Sequence, residues 1–426
     1  MLRIDRICIW LFMFGFIFML PGIKHIKFVD ELISFSFLAV AVVDCIANRN
    51  WRYYKLLWII SGILTFYLLY SLIFLKYNTT VAVVSDWIIQ LKPFIPFTVM
   101  YAVRPRFTYI DKAIFKALTV IASLFIVIVL IAGHEAIHAT VLHIAYTGIG
   151  LFISAMIYLY CSISDKGHVA RHDLIVTIIM LTAGLGCTRS KYYGIYIIAV
   201  FFLFIFRPGA HRGLPVKYII TGTATAIGVI IVAWHKLDYY FLTGGTGVYD
   251  LSIIDSYARP VLYITGYKIL LDHVPFGTGL ASFGSFMSGE HYSEVYHEYG
   301  INTVYGLSEH MPDFICDTFY PSLAQFGIIG VILFIAFWLY IYSKIKYYLC
   351  IDGNTYRYHY AIGVSIIAFI LIESIAATTF VQTTGMQCML LLGMLCGEAQ
   401  RIWESDPHRA QNISFSWKRL RITSWT

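Results

Sequence analysis

Long apolar runs alternate with short polar segments along nearly the whole chain. A helix needs about 17 to 25 mostly apolar residues to cross a bilayer, and roughly twelve runs approach that length. They lie near residues 7–22, 28–47, 56–75, 81–103, 113–133, 141–161, 174–188, 192–206, 218–234, 319–343, 360–380 and 383–398. The pattern predicts an all-α polytopic integral membrane protein with about 12 transmembrane helices.

One polar stretch, residues 235–318, interrupts this pattern and divides the chain into four predicted parts. Residues 1–234 hold about nine transmembrane helices, and residues 319–398 hold about three more. Residues 235–318 form a large loop between them, and residues 399–426 form a basic tail. Chemistry on a large polar substrate is therefore expected in and beside the loop.

Composition and charge agree with a bilayer as the solvent. Hydrophobic residues make up 59% of the chain and charged residues only 13%, which excludes an ordinary soluble protein. If the amino terminus is cytoplasmic, 21 of the 31 basic residues fall in cytoplasmic segments. The positive-inside rule then places both termini in the cytoplasm and residues 235–318 outside. Because the basic residues are scattered between spans, the net charge of +7 gives no case for nucleic-acid binding.

The outer loop is acidic and rich in tyrosine. It holds three cations, Lys236, Arg259 and Lys268, against ten carboxylates, together with ten tyrosines. Aromatic rings stack on the CH faces of sugars, and carboxylates accept hydrogen bonds from sugar hydroxyls. A solvated acidic loop whose tyrosines lie at the membrane interface fits the same composition.

Within the loop, the segment RPVLYITGYKILL predicts a helix capped by Asp255 or Ser256. On this helix Arg259 and Tyr263 share one face, and Lys268 falls on the opposite face. A glycine-rich turn follows the helix. The pattern therefore predicts that Arg259 is held rigidly near the outer membrane surface.

Three runs carry a family resemblance. They are Arg259 followed by HVPFGTGLASF at 273–283, FYPSLAQFGIIGVILF at 319–334, and CTRSKYYGIYIIA at 187–199. In their order and spacing, and with a large outer loop before the tenth span, they resemble the O-antigen ligase and polymerase superfamily. The Wzy-type polysaccharide polymerases are the most similar members. The resemblance covers roughly residues 174–340.

The resemblance implies glycan transfer from a polyprenyl diphosphate carrier at the periplasmic face of a bacterial inner membrane, without a metal or cofactor. It places the family's two functional arginines on Arg189 and Arg259. Substrate contacts are expected from nearby polar residues and turn glycines, namely Lys191, Tyr263, Lys268, Gly277 and Gly279. The implied partners are the lipid-linked oligosaccharide, the bilayer and other polysaccharide assembly proteins.

The implied chemistry needs cations and a base. A diphosphate leaves readily only when its developing charge is stabilised, and two guanidiniums offer bidentate donors for it. The attacking hydroxyl needs a proton acceptor, for which His310, Asp313 and Asp317 stand just before span ten. The ordinary alternatives are a snorkelling Arg189 and an Arg259 that is exposed or paired with Asp255. His310, Asp313 and Asp317 could likewise be neighbours by chance, because the loop holds ten carboxylates.

One departure from the family bears on the choice between polymerase and ligase. Ligases of this family carry a histidine and an asparagine where this chain has Cys316 and Asp317. The difference favours polymerisation of repeat units over ligation to an acceptor, and both remain open.

A literal HExxH motif spans residues 134–138. On a helix, this motif places two imidazoles on one face to bind zinc, with the glutamate as base. Here it follows Gly133 in a predicted short turn, and no Asp or Glu ligand of the kind usual in membrane proteases follows it downstream. His143 as a third ligand would lie about 140° off the shared face. A zinc membrane hydrolase is one alternative, and a polar cluster between helices or at an acceptor site is preferred.

A transporter is a third class, because charges and prolines at mid-membrane are typical of transporters. Span 81–103 contains Asp86, Lys92, Pro93 and Pro96. Lys92 either pairs with Asp86 within the membrane or contacts a carrier phosphate as a substrate-binding residue. The two halves of the chain show no internal repeat.

Reporter fusions test the predicted orientation. A reporter that works only outside the cytoplasm should be active after Gly289 and inactive after Gly353, because the charge asymmetry places these positions on opposite sides. A reporter that works only in the cytoplasm should give the opposite pair. Reversal at either position would contradict the predicted placement of the outer loop.

Overall fold

A computed structural model describes residues 3–19, 28–141, 143–206 and 257–405, with isolated helical positions between 220 and 234. Most of the ninth predicted span and the cap assigned to Asp255 or Ser256 lie outside the described residues. In the described ranges the chain forms helices and turns and no strand, and Ser308 forms an isolated bridge with Met311. The predicted all-α class is confirmed for these ranges.

The helices before the outer loop follow one another with short connections. They are α1 (Ile4–Phe18), α2 (Val29–Asn48), α3 (Lys55–Tyr70), α4 (Thr80–Leu91), α5 (Phe94–Val103), α6 (Tyr109–Ala132), α7 (His134–Thr140), α8 (Ala145–Ser162), α9 (Arg171–Ala183) and α10 (Ser190–Val200). In and after the loop they are α11 (Ala258–Asp272), α12 (Phe286–Glu290), α13 (Val295–Glu298), α14 (Gly327–Ile345), α15 (Tyr347–Asp352), α16 (Arg357–Glu373) and α17 (Thr383–Ser405).

Within the described ranges, four helical segments are long and apolar enough to cross a bilayer. They are Lys55–Leu75, Tyr109–Ala132, Ala145–Ser162 and Tyr320–Asp352. Most of α8 is buried, so it lies inside the helix bundle. By contrast, α6 exposes Ile121, Ile128 and Ile131, the last with 81% of its surface accessible. A row of large exposed aliphatic residues on a long helix fits contact with lipid.

Two of the predicted spans are interrupted and do not form continuous α-helices. The run 81–103 forms α4 and α5, separated at Lys92 and Pro93. Proline has no N–H to donate and its ring clashes with the preceding turn, so a helix ends before it. The run 360–380 ends its α-helix at Glu373 and continues as an irregular segment with a short 3-10 turn, Thr379–Val381. The segment that follows the carboxyl end of α16 therefore lies beside the outer loop.

The described part of the outer loop, residues 257–318, has its own apolar core. Leu262 and Ile269 of α11 pack with Phe283, Tyr296 and Ile315, and all five are completely buried. Tyr296 also accepts a hydrogen bond from the backbone N–H of Gly284 at 2.9 Å. Burial of this size makes the segment a folded layer on the helix bundle.

Glycines bring this layer against the start of α14. Gly277 and Gly327 have φ values of 75° and 61°, in the left-handed region. A Cβ on either residue would collide with the backbone of the other. The N–H of Gly279 donates to the carbonyl of Gln325 at 2.8 Å. The runs 273–283 and 319–334 therefore form one packed junction that only glycine permits.

Asp86 of α4 ties the same turn to the bundle. The side chain is fully buried, and its Oδ2 accepts the backbone N–H of Ala281 at 2.8 Å. Gln90, one turn later on α4, donates to Oδ1 at 3.4 Å. Nearby, Asn78 donates to the Ala281 carbonyl at 2.8 Å. The predicted alternative that Asp86 pairs with Lys92 is wrong, because Asp86 binds the outer loop and Lys92 binds two other carboxylates.

Replacing Asp86 should loosen this anchor. In Asp86→Ala the buried Ala281 N–H loses its acceptor, which costs about 1 to 3 kcal/mol. The thermal unfolding midpoint of the purified protein should fall measurably, and Asp86→Asn, which keeps an acceptor oxygen, should lose less. Asp5→Ala, at an exposed carboxylate of α1, should leave the midpoint unchanged. An Asp86→Ala midpoint equal to that of the wild type would contradict the anchoring role.

Candidate functional site

Arg189 lies at the N-terminus of α10, directly after a strained turn. A 3-10 turn, Gly184–Cys187, precedes it, and Thr188 has φ 54°, a left-handed conformation that β-branched residues rarely adopt. Tyr192 fixes this turn by donating to the Leu181 carbonyl at 2.7 Å while its ring packs against Gly184. Backbone strain of this kind is common where a side chain is positioned for function.

The partner of Arg189 is His143, in the turn before α8. Arg189 Nη2 lies 2.6 Å from His143 Nε2, and the backbone N–H of Ala145 points at His143 Nδ1 at 3.1 Å. Both neighbours are donors, whereas a neutral imidazole has one acceptor nitrogen and an imidazolium has none. The contacts therefore favour the neutral ring. Because neutral His143 carries no charge, it positions Arg189 without neutralising it.

The pKa of His143 is lowered, in agreement with this geometry. Partial removal of the ring from water lowers it first, and the positive charge of Arg189 lowers it further. The charge of Asp317 acts in the opposite direction and raises the pKa of His143. Asp317 therefore lies close enough to the Arg189–His143 pair for its charge to influence the pKa of His143.

Asp317 forms an ion pair with Arg259, the second of the two arginines predicted to be functional. Arg259 is the second residue of α11, and its Nη2 lies 2.6 Å from Asp317 Oδ2. The arginine side chain is 25% exposed and the carboxylate 34%, so the pair is half-buried and remains accessible to solvent. The helix begins at Ala258, with Tyr257 at the N-cap position and no side-chain cap. The ion pair therefore joins the Arg259 head group to the end of the loop, close before α14 in the sequence.

The carboxyl end of α16 brings a further ion pair to this group of residues. Lys191 Nζ lies 2.6 Å from Glu373 Oε2, a buried carboxylate at the last residue of α16. Tyr263 donates to the Ile375 carbonyl at 2.8 Å, and the N–H of Phe319 donates to the Ser374 carbonyl at 3.1 Å. The segment after α16 thus joins α10, α11 and the end of the outer loop. We call the six charged or polar side chains gathered there the outer cluster: His143, Arg189, Lys191, Arg259, Asp317 and Glu373.

Other predicted site residues lie apart from this cluster. His310 and Asp313 are exposed on the turn around residues 306–314, and Lys268 is exposed on the far part of α11. In the part of the chain that the structure describes, none of the three contacts Arg189 or Arg259. Gly277 and Gly279 serve the junction with α14 described above.

Lys92, predicted as a substrate contact, already has two partners. Its Nζ lies 2.6 Å from Asp30 Oδ2 and 2.8 Å from Glu31 Oε1, at the start of α2. Its side chain is only 7% exposed. An ammonium that is matched by two carboxylates has little excess charge to offer a phosphate.

The HExxH segment forms a helix, α7, so the predicted turn was wrong at this point. Ile137 of this helix is buried against Val129 and Val141, whereas Glu135 and His138 are exposed. His138 has electrostatic contact with His143, whose pKa it lowers. Among the side chains that the structure describes, no group of three His, Cys, Asp or Glu residues is placed to hold one metal ion.

Three members of the outer cluster bear on how much the sequence revealed. His143 entered the sequence argument only as a possible zinc ligand, and Glu373 did not enter it. A carboxylate inside an apolar run is a recognisable functional signal in membrane proteins, so Glu373 could have been singled out. The link between His143 and Arg189 had no sequence signal, because the two residues belong to separate turns.

Comparison with known proteins adds no family assignment. No family model matches the chain, and no curated protein matches it.

The histidine contact predicts a pH effect on stability. Since the folded state lowers the pKa of His143, the unfolded chain takes up the proton first as the pH falls below about 6.5. The unfolding midpoint should therefore drop between about pH 7.5 and about pH 5.5. His143→Gln, which keeps a hydrogen-bond acceptor but does not titrate there, should show a smaller drop. Equal drops in the two proteins would contradict the contact.

Proposed function

We propose that this protein polymerises polyprenyl-diphosphate-linked oligosaccharide repeat units into a surface polysaccharide. It does so as a multi-pass protein of about twelve spans in a bacterial inner membrane, with the outer cluster facing the periplasm. The observation that supports this most is the gathering of Arg189 and Arg259, which are far apart in sequence, around His143 and Asp317.

The charge balance of the outer cluster suits a diphosphate. It contains three cations, Arg189, Lys191 and Arg259, against two carboxylates, Asp317 and Glu373, so its net charge is +1 (3 − 2) with His143 neutral. Lys191 and Arg259 are each matched by a carboxylate. Arg189 has a neutral partner, and in the described part of the chain no carboxylate lies within ion-pair distance of it. Its guanidinium therefore supplies the excess positive charge that an anion would find.

The proposed reaction is a displacement at the sugar carbon attached to the carrier. A hydroxyl oxygen of the acceptor glycan forms a bond to this anomeric carbon, and the bond from the carbon to the diphosphate oxygen breaks. The electron pair of the broken bond leaves with the polyprenyl diphosphate, whose added charge Arg189 and Arg259 stabilise. The hydroxyl proton passes to a base.

We assign the base to Asp317. Of the three residues predicted for this role, Asp317 is the one that contacts an arginine, whereas His310 and Asp313 are exposed elsewhere on the loop. Arg259 binds Oδ2 of Asp317 and so orients the carboxylate. A base must lie within hydrogen-bond reach of the hydroxyl while the leaving group contacts the cations, and the ion pair places Asp317 beside one of these cations.

The assignment to a polymerase rather than a ligase depends on the residues beside Arg259. Cys316 and Asp317 stand where ligases of the resembled superfamily carry histidine and asparagine. The carboxylate at this position forms the ion pair with Arg259, which an asparagine would not form.

Substitution of the two arginines tests the proposal. Removing a charge-assisted contact that strengthens as the leaving group departs costs about 3 to 4 kcal/mol, a factor of about 100 to 1,000 in rate. Arg189→Ala and Arg259→Ala should therefore abolish polymer, leaving single repeat units on the carrier. Lysine at either position keeps the charge but loses the bidentate geometry, so it should restore little.

The measurement is the glycan profile of cells that express each variant at equal membrane levels. Arg171→Ala, at an exposed arginine that begins α9, is the matched control and should give normal polymer. Normal polymer from both Arg189→Ala and Arg259→Ala would refute the diphosphate assignment. Long chains left on the carrier in a deletion strain would instead identify a ligase.

A further inference from the structure

The turn between α2 and α3 is organised by a buried carboxylate. Asp44 Oδ1 accepts hydrogen bonds from the side chains of Asn48 at 2.7 Å and Asn50 at 3.1 Å. Its Oδ2 accepts a hydrogen bond from the hydroxyl of Tyr54 at 2.8 Å, and both Asp44 and Tyr54 are buried. These three donors satisfy the carboxylate and connect the two ends of the turn. The side chains that the turn exposes therefore have a defined arrangement.

The turn and the start of α3 present cations and tryptophans. Arg52 and Lys55 line an open pocket with Trp51, Trp58 and Ile59, and we call these five residues the α2–α3 pocket. The ring centroids of the two tryptophans lie 5.5 Å apart. In the described part of the chain, no carboxylate forms an ion pair with Arg52 or Lys55. The pocket therefore has two uncompensated positive charges beside an aromatic surface.

Other cations on the same predicted side of the membrane are matched by carboxylates. Arg6 forms an ion pair with Asp111, and Arg104 forms one with Glu404. The α2–α3 pocket differs from these pairs because its charges remain available to an anionic ligand.

Lys55 stands at one end of a row of exposed apolar residues on α3. The segment Lys55–Leu75 is long and apolar enough to cross a bilayer. Along it Ile59, Phe66 and Leu69 are 47%, 45% and 51% exposed, and with Lys55 they recur at helical spacing on one face. Lys55 and Phe66 are about 16 Å apart along the helix axis, close to half of a hydrocarbon thickness of about 30 Å. The row therefore has the length of an acyl chain in one leaflet.

Gly62 makes room within this row. It is exposed between Ile59 and Phe66, and a Cβ at this position would meet no atom within 4 Å. The surface of α3 is therefore lower here than at the two larger side chains on either side. An acyl chain that lies in this depression contacts apolar atoms of both neighbours.

We infer that the α2–α3 pocket binds the head group of one anionic phospholipid, whose acyl chain lies along α3 from Ile59 to Phe66. Guanidinium and ammonium groups form charge-assisted hydrogen bonds with phosphate oxygens, so Arg52 and Lys55 bind the phosphodiester. Tryptophan rings favour the level of the head groups at the membrane surface. The charge asymmetry of the sequence predicts that this is the cytoplasmic leaflet, on the opposite side from the outer cluster.

This lipid site is independent of the polymerase proposal, and its consequence is structural. Toward its other end, the segment that begins at Lys55 contacts the residues before α14 and the outer loop. Tyr67 donates to the Phe326 carbonyl at 2.7 Å, and Ser71 Oγ accepts the N–H of Leu280 at 2.8 Å. A ligand that binds the folded protein and not the unfolded chain raises stability. Bound lipid therefore stabilises the helix to which the outer loop is attached.

Native mass spectrometry of the purified full-length protein tests this site. The protein in detergent micelles is mixed with equal amounts of phosphatidylglycerol and phosphatidylcholine that have identical acyl chains, and the retained lipids are identified by mass. Because phosphatidylcholine has no net charge, we expect the first retained lipid to be phosphatidylglycerol, with a preference of about fivefold or more. Equal retention of the two lipids would overturn the inference.

Two double variants of equal charge separate a built site from a general attraction. Arg52→Gln/Lys55→Gln removes both charges of the pocket and should lower the retention of phosphatidylglycerol about fivefold or more. Lys166→Gln/Arg171→Gln removes two exposed cations at and before the start of α9, on the same predicted side, and should retain the lipid as the wild type does. Equal losses in the two variants would mean that the basic surface as a whole attracts the lipid, and would also overturn the inference.

Thermal unfolding gives a second readout of the same site. Phosphatidylglycerol should raise the unfolding midpoint of the wild type above its value in phosphatidylcholine, and Arg52→Gln/Lys55→Gln should lose this increase. The four substituted cations are exposed, so both double variants should unfold at the wild-type midpoint in phosphatidylcholine alone. An increase that persists in the pocket variant would place the stabilising lipid elsewhere and contradict the assignment to Arg52 and Lys55.

Inorganic phosphate distinguishes a lipid site from a site for free phosphate. It offers similar oxygen acceptors without an acyl chain, so it should not displace phosphatidylglycerol when the ionic strength is held constant with chloride. Displacement under these conditions would identify free phosphate as the ligand and refute the lipid assignment.

Discussion

The carboxylate of Asp86 and the glycine contact between Gly277 and Gly327 attach the outer loop to the helix bundle, and the geometry of the rest depends on that attachment. A carboxylate buried in α4 needs hydrogen-bond donors, and the backbone N–H of Ala281 in the loop provides one. The glycines let two backbone segments touch where any side chain would intervene. The loop is attached to the bundle at this end and is stabilised by its own apolar core. These contacts fix the position of α11, and therefore that of Arg259 beside the end of α16.

The two arginines are held by different kinds of partner, which gives them different electrostatic roles. Asp317 neutralises and orients Arg259, whereas His143 orients Arg189 without cancelling its charge. Lys191 is matched by the buried Glu373, so the excess positive charge of the outer cluster belongs to Arg189. A leaving group that gains negative charge during the reaction would be stabilised most by such an uncompensated guanidinium, since no competing carboxylate must first be displaced.

The sequence by itself determined the helical class and the apolar segments, because hydrophobic runs of spanning length have few other stable solutions in a bilayer. It also predicted the helix that carries Arg259, which the structure confirms as Ala258–Asp272, and it led to the proposed roles of Arg189 and Arg259. It could not determine that Asp86 binds Ala281, that Lys92 binds Asp30 and Glu31, or that His143 meets Arg189. These contacts join residues from separate helices and turns, and no local pattern of apolar spacing encodes which helix faces which. The tertiary structure decided them, because a buried charge must pair with a group that helix packing places next to it.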